Sequence, residues 1–158
     1  PSPEKKEFAF NGRLFRQGDK VMQVRNNYDM VWKKDDGEMG QGIFNGDIGV
    51  IEKIDPMPRL MAIRFDDRIA DYPFDNAGEL DHAYAITVHK SQGNEFDAVI
   101  IPLMEVNSRL CFRNLLYTAV TRAKKLLIIV GDSRAVFSMV DNNKKTGRFT
   151  NLRYMLEE

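Results

Sequence analysis

Thr87-Val88-His89-Lys90-Ser91-Gln92-Gly93-Asn94-Glu95-Phe96-Asp97 is the stretch on which the reading of this 158-residue chain turns. It concentrates hydroxyl, imidazole, ammonium and amide groups in a short turn containing a glycine, with apolar residues on either side at Ala83–Thr87 and Ala98–Pro102. In open α/β sheets, loops at the ends of buried strands are where ligands bind. Thr87 and Ser91 offer hydroxyls, Lys90 a point charge and His89 a ring that donates or stacks. Such groups contact a sugar-phosphate backbone without reading sequence. For any one His-Lys pair, a solvated connection is the commoner situation.

Downstream, Ala98–Pro102 and Leu126–Val130 are uninterrupted apolar runs, as expected of strands buried on both faces of a parallel sheet. Ala83–Thr87 is expected as a third such strand. Between the last two runs, Phe112, Leu115, Leu116, Ala119 and Val120 recur at helical spacing, with Asn107 or Ser108 as cap, which makes a βαβ unit. Asp132-Ser133 caps a second predicted helix that buries Ala135, Val136, Met139 and Val140, and Phe149–Glu158 reads as a further short helix. On the first helix Asn114, Thr118 and Arg122 lie four apart, which keeps Arg122 off the apolar face. An arginine there either satisfies loose carbonyls at the helix end or stabilises charge on a phosphoryl group.

Upstream, residues 15–78 are expected to form a small all-β barrel of the SH3 or OB kind. About five short apolar runs alternate with turn signals, among them Asn45-Gly46, Asp55-Pro56 and Asp66-Asp67. Asn45-Gly46 predicts a type I′ hairpin. The opening is polar and begins Pro-Ser-Pro, so 1–14 is expected as a leader. Tyr28–Gln41 is longer than a simple hairpin. Its Trp32, beside Lys33 and Lys34, either stacks on a base or folds back at an exposed tip.

The two clusters, Thr87–Asp97 and Leu116-Tyr117-Thr118-Ala119-Val120-Thr121-Arg122-Ala123-Lys124-Lys125, together resemble motifs V and VI of superfamily 1 helicases. The resemblance is to the RecD-like, 5′-to-3′ branch (superfamily 1B). Phe15–Val21 and Phe44–Gly49 look like the SH3-like barrel inserted in the second RecA-like domain of that family. The resemblance covers most of the chain. It implies an α/β fold, with 79–158 as part of a RecA-like parallel sheet of the P-loop NTPase type and 15–78 as the barrel. It implies DNA contacts from Thr87, His89, Lys90 and Ser91, nucleotide contacts from Gly93, Glu95 and Arg122, and a catalytic γ-phosphate role for Arg122. ATP and Mg2+ are the implied cofactors of the parent protein. The implied partners are single-stranded DNA, an N-terminal RecA-like domain of the same polypeptide and nuclease-complex subunits.

The chain contains no G-x-x-x-x-G-K-[ST] phosphate loop and no evident carboxylate pair for magnesium. Read this way it is a C-terminal helicase fragment with no activity of its own. The alternative is a non-catalytic module whose barrel binds DNA or a peptide. The net charge of zero hides an asymmetry, 12 basic against 16 acidic residues in 1–82 and 11 against 7 in 83–158. One cysteine, Cys111, excludes an internal disulfide and fits a reducing cytoplasm. No run is long enough to span a membrane.

Overall fold

A computed structural model describes residues 5–103 and 111–143. The described strands are β1 Glu7–Phe10, β2 Arg13–Arg16, β3 Lys20–Gln23, β4 Asn27–Lys34, β5 Met39–Ile43, β6 Ile48–Asp55, β7 Leu60–Phe65, β8 Arg68–Pro73, β9 Leu80–His82, β10 Phe96–Leu103 and β11 Ala123–Gly131. A 3-10 helix covers Phe74–Glu79, and the α-helices are α1 Arg113–Val120 and α2 Ser133–Asp141. The expected cap residues Asn107 and Ser108 and the expected helix at Phe149–Glu158 lie outside the described residues. The chain divides into two compact units, Pro1–Gly93 and Asn94–Glu158, a later division than the expected one between 78 and 79.

In the first unit, seven antiparallel strands run in the order β5-β4-β8-β7-β6-β3-β9, beside the separate β1-β2 hairpin. β7 shows why the sheet has one wet face: Met61, Ile63 and Phe65 are buried and alternate with more exposed residues. Ile43 on one edge strand and Leu80 on the other belong to the same buried cluster as Phe15, Ile51, Phe65 and Tyr72. A sheet whose two edges share one core is curled around it. Each of these large side chains contributes about 1.5–3 kcal/mol by leaving water.

Side chains tie the two ends of the curl together. Glu79 Oε2 accepts from Gln23 Nε2 at 3.1 Å and from Asn27 Nδ2 at 2.9 Å, and the Tyr72 hydroxyl lies 3.1 Å away. The same hydroxyl lies 3.0 Å from Gln23 Oε1. Gln23 is on β3, Asn27 on β4 and Tyr72 on β8, so one carboxylate joins strands that the ladder keeps apart. Burial, above all, raises the Tyr72 phenol well beyond its ordinary value, which keeps its proton available as a donor.

Three expectations differ from what is seen in this unit. The expected leader 1–14 overlaps a β-hairpin: Phe8↔Phe15 and Phe10↔Arg13 pair around Asn11-Gly12, both at positive φ, and Phe8 stacks on Phe74 at 3.8 Å. Asn45-Gly46 does form a turn, with Asp47 N donating to Phe44 O at 2.9 Å. It is not a type I′ hairpin, because β5 and β6 are not neighbours and only Gly46 of the two has positive φ. The Tyr28–Gln41 segment is the β4-β5 hairpin with a register shift between Asn27 and Val31. Its Trp32 packs partly buried against the core, between the cations of Lys34 and Arg68. The ring is folded back rather than offered to a base, and it lies so close over Gly40 that a Cβ there would sit 2.4 Å from it.

In the second unit, β10 and β11 pair in parallel from Ala98↔Leu126 to Leu103↔Gly131, with a bulge near Phe96. The expected third strand is absent: residues 83–87 carry no strand, since β9 has already paired with β3 and the chain then leaves the sheet. α1 lacks a side-chain cap. Its first amide, Arg113 N, donates instead to Asn142 O at 3.0 Å, while Asn142 Nδ2 donates to Cys111 O at 2.8 Å, which ties α1 to the end of α2. α2 begins as expected, with Asp132 accepting from Arg134 N at 2.9 Å. It buries Ala135 and Met139 but leaves Val140 exposed. Nor are the strands covered on both faces: Ile100, Leu126, Ile128, Ile129 and Val130 are all exposed.

The sole tryptophan makes the first unit easy to probe. Gly40→Ala is expected to displace the Trp32 ring and cost about 1–3 kcal/mol in urea unfolding, with the emission of Trp32 shifting to longer wavelength. Unchanged stability and emission would show that the ring does not rest on Gly40.

Candidate functional site

The loop expected to carry chemistry is built by its own hydroxyls. After β9, Ala83 is buried and its N–H donates to Lys20 O at 2.8 Å. The chain then closes one tight turn: Ser91 N donates to Thr87 O at 3.1 Å and Gln92 N to His89 O at 3.3 Å. Thr87 Oγ1 accepts from Lys90 N at 3.3 Å, and Ser91 Oγ donates to Val88 O at 2.8 Å. Ser91 is only 5% exposed, and its hydroxyl is part of the loop's framework. His89 and Lys90 are exposed on the outside of the turn. Gly93 follows at φ +85° with open space where a Cβ would stand. The conformation, and not close packing, is what asks for glycine there.

Lys90 is engaged. Its Nζ meets Asp81 Oδ2 at 3.0 Å, and Arg13 Nη1 approaches the other oxygen of Asp81 at 3.7 Å. The hydrogen bond from Lys90 is the main cause holding the Asp81 carboxyl below its ordinary value. The positive charge of Lys90 is therefore poised at the surface beside a carboxylate that an anion would have to displace.

Arg122 and Glu95 belong to the second unit. Arg122 follows α1 in the turn 121–122 and is half-buried. The spacing of four seen in the sequence becomes a chain of bonds: Thr118 Oγ1 donates to Asn114 O at 2.8 Å, and Arg122 Nε donates to Thr118 O at 3.1 Å. Nη1 of the same guanidinium donates to Asn94 O at 3.1 Å, and Nη2 lies 3.4 Å from Thr121 Oγ1. Its own backbone carbonyl accepts from Phe96 N at 2.8 Å. Arg122 takes the helix-end place weighed for it. It satisfies carbonyls at the helix end, and three contacts leave two of its five N–H donors uncommitted. Glu95 pairs at the surface with Lys124 at 3.4 Å, and Asp97 with Lys125 at 2.9 Å.

Thr87, His89, Lys90, Ser91 and Gly93 are brought together in one unit, and Glu95 and Arg122 in the other. No group of His, Cys, Asp and Glu able to hold a metal occurs among the described residues, and no described helix is long and apolar enough to cross a membrane.

Comparison with known proteins gives two family matches. Residues 1–65 match the ATP-dependent RecD-like DNA helicase SH3 domain, and residues 82–130 match the UvrD-like helicase C-terminal domain. The RecBCD enzyme subunit RecD of Mycobacterium tuberculosis is 33% identical over 120 residues, which covers 76% of this chain and 20% of that protein. The ATP-dependent RecD2 DNA helicase of Deinococcus radiodurans is 32% identical over 76% of this chain and 15% of its own length. This chain belongs to the RecD-like helicase family. An uncharacterized protein of Methanocaldococcus jannaschii is 34% identical over 85% of the chain and 12% of its own length. The chain thus spans a fifth or less of these RecD-like and related proteins.

The Lys90–Asp81 pair has a pH signature. A carboxyl whose folded value is depressed stabilises the fold above its unfolded value, and that stabilisation is lost as pH falls through the folded one. The difference in urea midpoint between the natural chain and Asp81→Asn is expected to be level well above 3.8 and to shrink as pH falls below that value. A difference that persists undiminished at the lowest pH would mean that Asp81 acts through something other than its charge.

Proposed function

We propose that this chain is the part of an ATP-dependent 5′-to-3′ DNA helicase or translocase that supplies single-strand contacts and the γ-phosphate arginine. The observation that carries the proposal is the anchoring of Arg122, by Nε to Thr118 O and by Nη1 to Asn94 O. A guanidinium fixed on two carbonyls keeps its planar fork in one orientation and has donors to spare. ATP, when bound to the parent protein, supplies the phosphoryl group whose oxygens gain charge during hydrolysis. Arg122 is fitted to meet that charge, and it loses little freedom in doing so.

The residues present fit one corner of such a site. They include no phosphate loop and, among the described residues, no set able to hold Mg2+, so the cradle belongs to another RecA-like domain of the parent. The exposed apolar residues of β10 and β11 support a partial RecA-like sheet. A parallel pair with Ile100 65% exposed does not bury enough surface to stand alone, and further strands and covering helices would complete it. On the DNA side, His89 and Lys90 are the outward groups of the motif loop, and Thr87 and Ser91 set its shape. Glu95 and Gly93 are the remaining candidates for contact with the nucleotide. The proposed partners are single-stranded DNA, the N-terminal RecA-like domain and nuclease-complex subunits, the RecD relatives being named as subunits of the RecBCD enzyme. A binding module without catalysis is the second reading, favoured by the Asp81 partner that already occupies Lys90.

In the full-length protein, Arg122→Ala is expected to lower ATP turnover about 10³-fold and to leave single-strand affinity within about twofold. Lys90→Ala is expected to weaken DNA binding and to lower the slope of log affinity against log salt by about one unit. Equal losses of turnover and affinity in both variants would overturn the division of roles. The isolated chain is expected to turn over no ATP, and turnover that Arg122→Ala abolishes would contradict that.

A further inference from the structure

Three rings in the first unit are stacked in a column that ends at the surface. Phe15 on β2 is fully buried, and its ring lies 5.1 Å from that of His82 on β9, at an interplanar angle of 26°. His82 lies in turn 5.9 Å from Tyr84, at 17°. The column is held from the side. His82 Nε2 is 3.2 Å from Leu14 O and 3.4 Å from Asp19 Oδ2, and the Tyr84 hydroxyl donates to Asp19 Oδ1. Asp19 is itself fixed by Arg16 N at 2.8 Å. The Tyr84 ring therefore has a set orientation, one face covered by His82, and 67% of the residue open to solvent. Lys5 and Arg16 line the same hollow, with Arg16 Nε donating to Glu7 at 3.1 Å.

An exposed, preoriented aromatic face beside cationic side chains has the chemistry of a base-stacking platform. Every nucleobase offers a π-face, so such a platform takes any sequence, and the ordering cost of the ring is already met by Asp19. Tyr84 also leads directly into the loop that carries His89 and Lys90, three residues before Thr87.

We propose that Tyr84 receives one base of a DNA single strand, extending the Phe15–His82–Tyr84 column by a fourth ring, with Lys5 and Arg16 beside the flanking phosphates. This subsite rests on the single-strand reading above and adds to it a stacking contact outside the motif loop. Asp19 neutralises part of the local positive charge, so the contact gains chiefly from stacking and only weakly from salt-sensitive phosphate pairing.

The test is a binding titration of the chain with a short oligodeoxythymidine strand and with a strand of equal length that carries abasic sites. Tyr84→Ala is expected to weaken binding of the thymidine strand about 5- to 100-fold, Tyr84→Trp to retain it, and neither to alter binding of the abasic strand. Photocrosslinking of a 5-iododeoxyuridine strand to the unaltered chain is expected to map to Tyr84, which covers the case of a variant that does not fold. Equal loss on both strands, full affinity in Tyr84→Ala, no measurable binding by the unaltered chain, or crosslinking only elsewhere would each overturn the proposal. Unchanged affinity in Tyr84→Ala beside a loss in Lys90→Ala removes the stacking subsite alone. A stacking signal in a parent protein whose turnover ignores Arg122 keeps the subsite and removes the helicase reading.

Discussion

The carboxylate of Glu79 is the contact on which the first unit depends. Backbone pairing takes seven strands from β5 to β9 and stops, leaving both edges open. The curl that encloses Phe15, Ile43 and Leu80 in one core is locked by the bonds of Glu79 to Gln23 and Asn27 and by its approach to Tyr72, and Val24 N donates to Glu79 O at 2.8 Å. Gln23 is fully buried, so removing its acceptor would leave a desolvated amide without a partner. Glu79 also stands immediately before β9, the strand that delivers His82, Tyr84 and the loop with Lys90. The geometry of the proposed DNA face is therefore inherited from the closure of the barrel.

The second unit follows a different rule. Its helices and strands bury little: Leu116, Ala119, Ala135 and Met139 are its buried apolar residues among those described. What is well fixed there is polar, namely the ladder Asn114–Thr118–Arg122 and the guanidinium bonds to Asn94 and Thr118. A local network of hydrogen bonds holds Arg122 in place even though apolar residues of β10 and β11 stay exposed. Orientation of the arginine is thus fixed within the unit itself, and the proposed γ-phosphate role would draw on that preorganisation.

The sequence was most legible where side-chain chemistry is local. The Asp132 cap, the two-residue turn at Asp66-Asp67 between β7 and β8, and the parallel pairing of the two apolar runs are decided within a few residues or by simple pattern. The two Asn-Gly pairs show where locality fails. Asn45-Gly46 suggested a hairpin, yet the strands it joins lie apart in the sheet. Asn11-Gly12 does make a two-residue hairpin, and the polar opening of the chain concealed it. Trp32 could not be assigned from its neighbours, because the space that accepts its ring comes from Gly40 across the strand. Thr87 and Ser91 were legible as hydroxyls but not as to their bonds: both close onto the turn's own backbone, Ser91 buried and Thr87 exposed. His82 and Tyr84 carried no signal as a pair until β9 set them in line with Phe15, although the alternation His-Ala-Tyr before the motif was there to be read.

The dependence of the DNA face on barrel closure is tested most directly by Glu79→Ala, through its single-strand affinity and the amide hydrogen exchange of Ala83 and residues 87–93. On charge alone, removal of a carboxylate should tighten binding to a polyanion. The expected result is the opposite: weaker affinity, with faster exchange along the segment after β9, because the strand that presents Tyr84 and Lys90 loses its anchor. Equal or tighter binding, with exchange unchanged in that segment, would contradict the account.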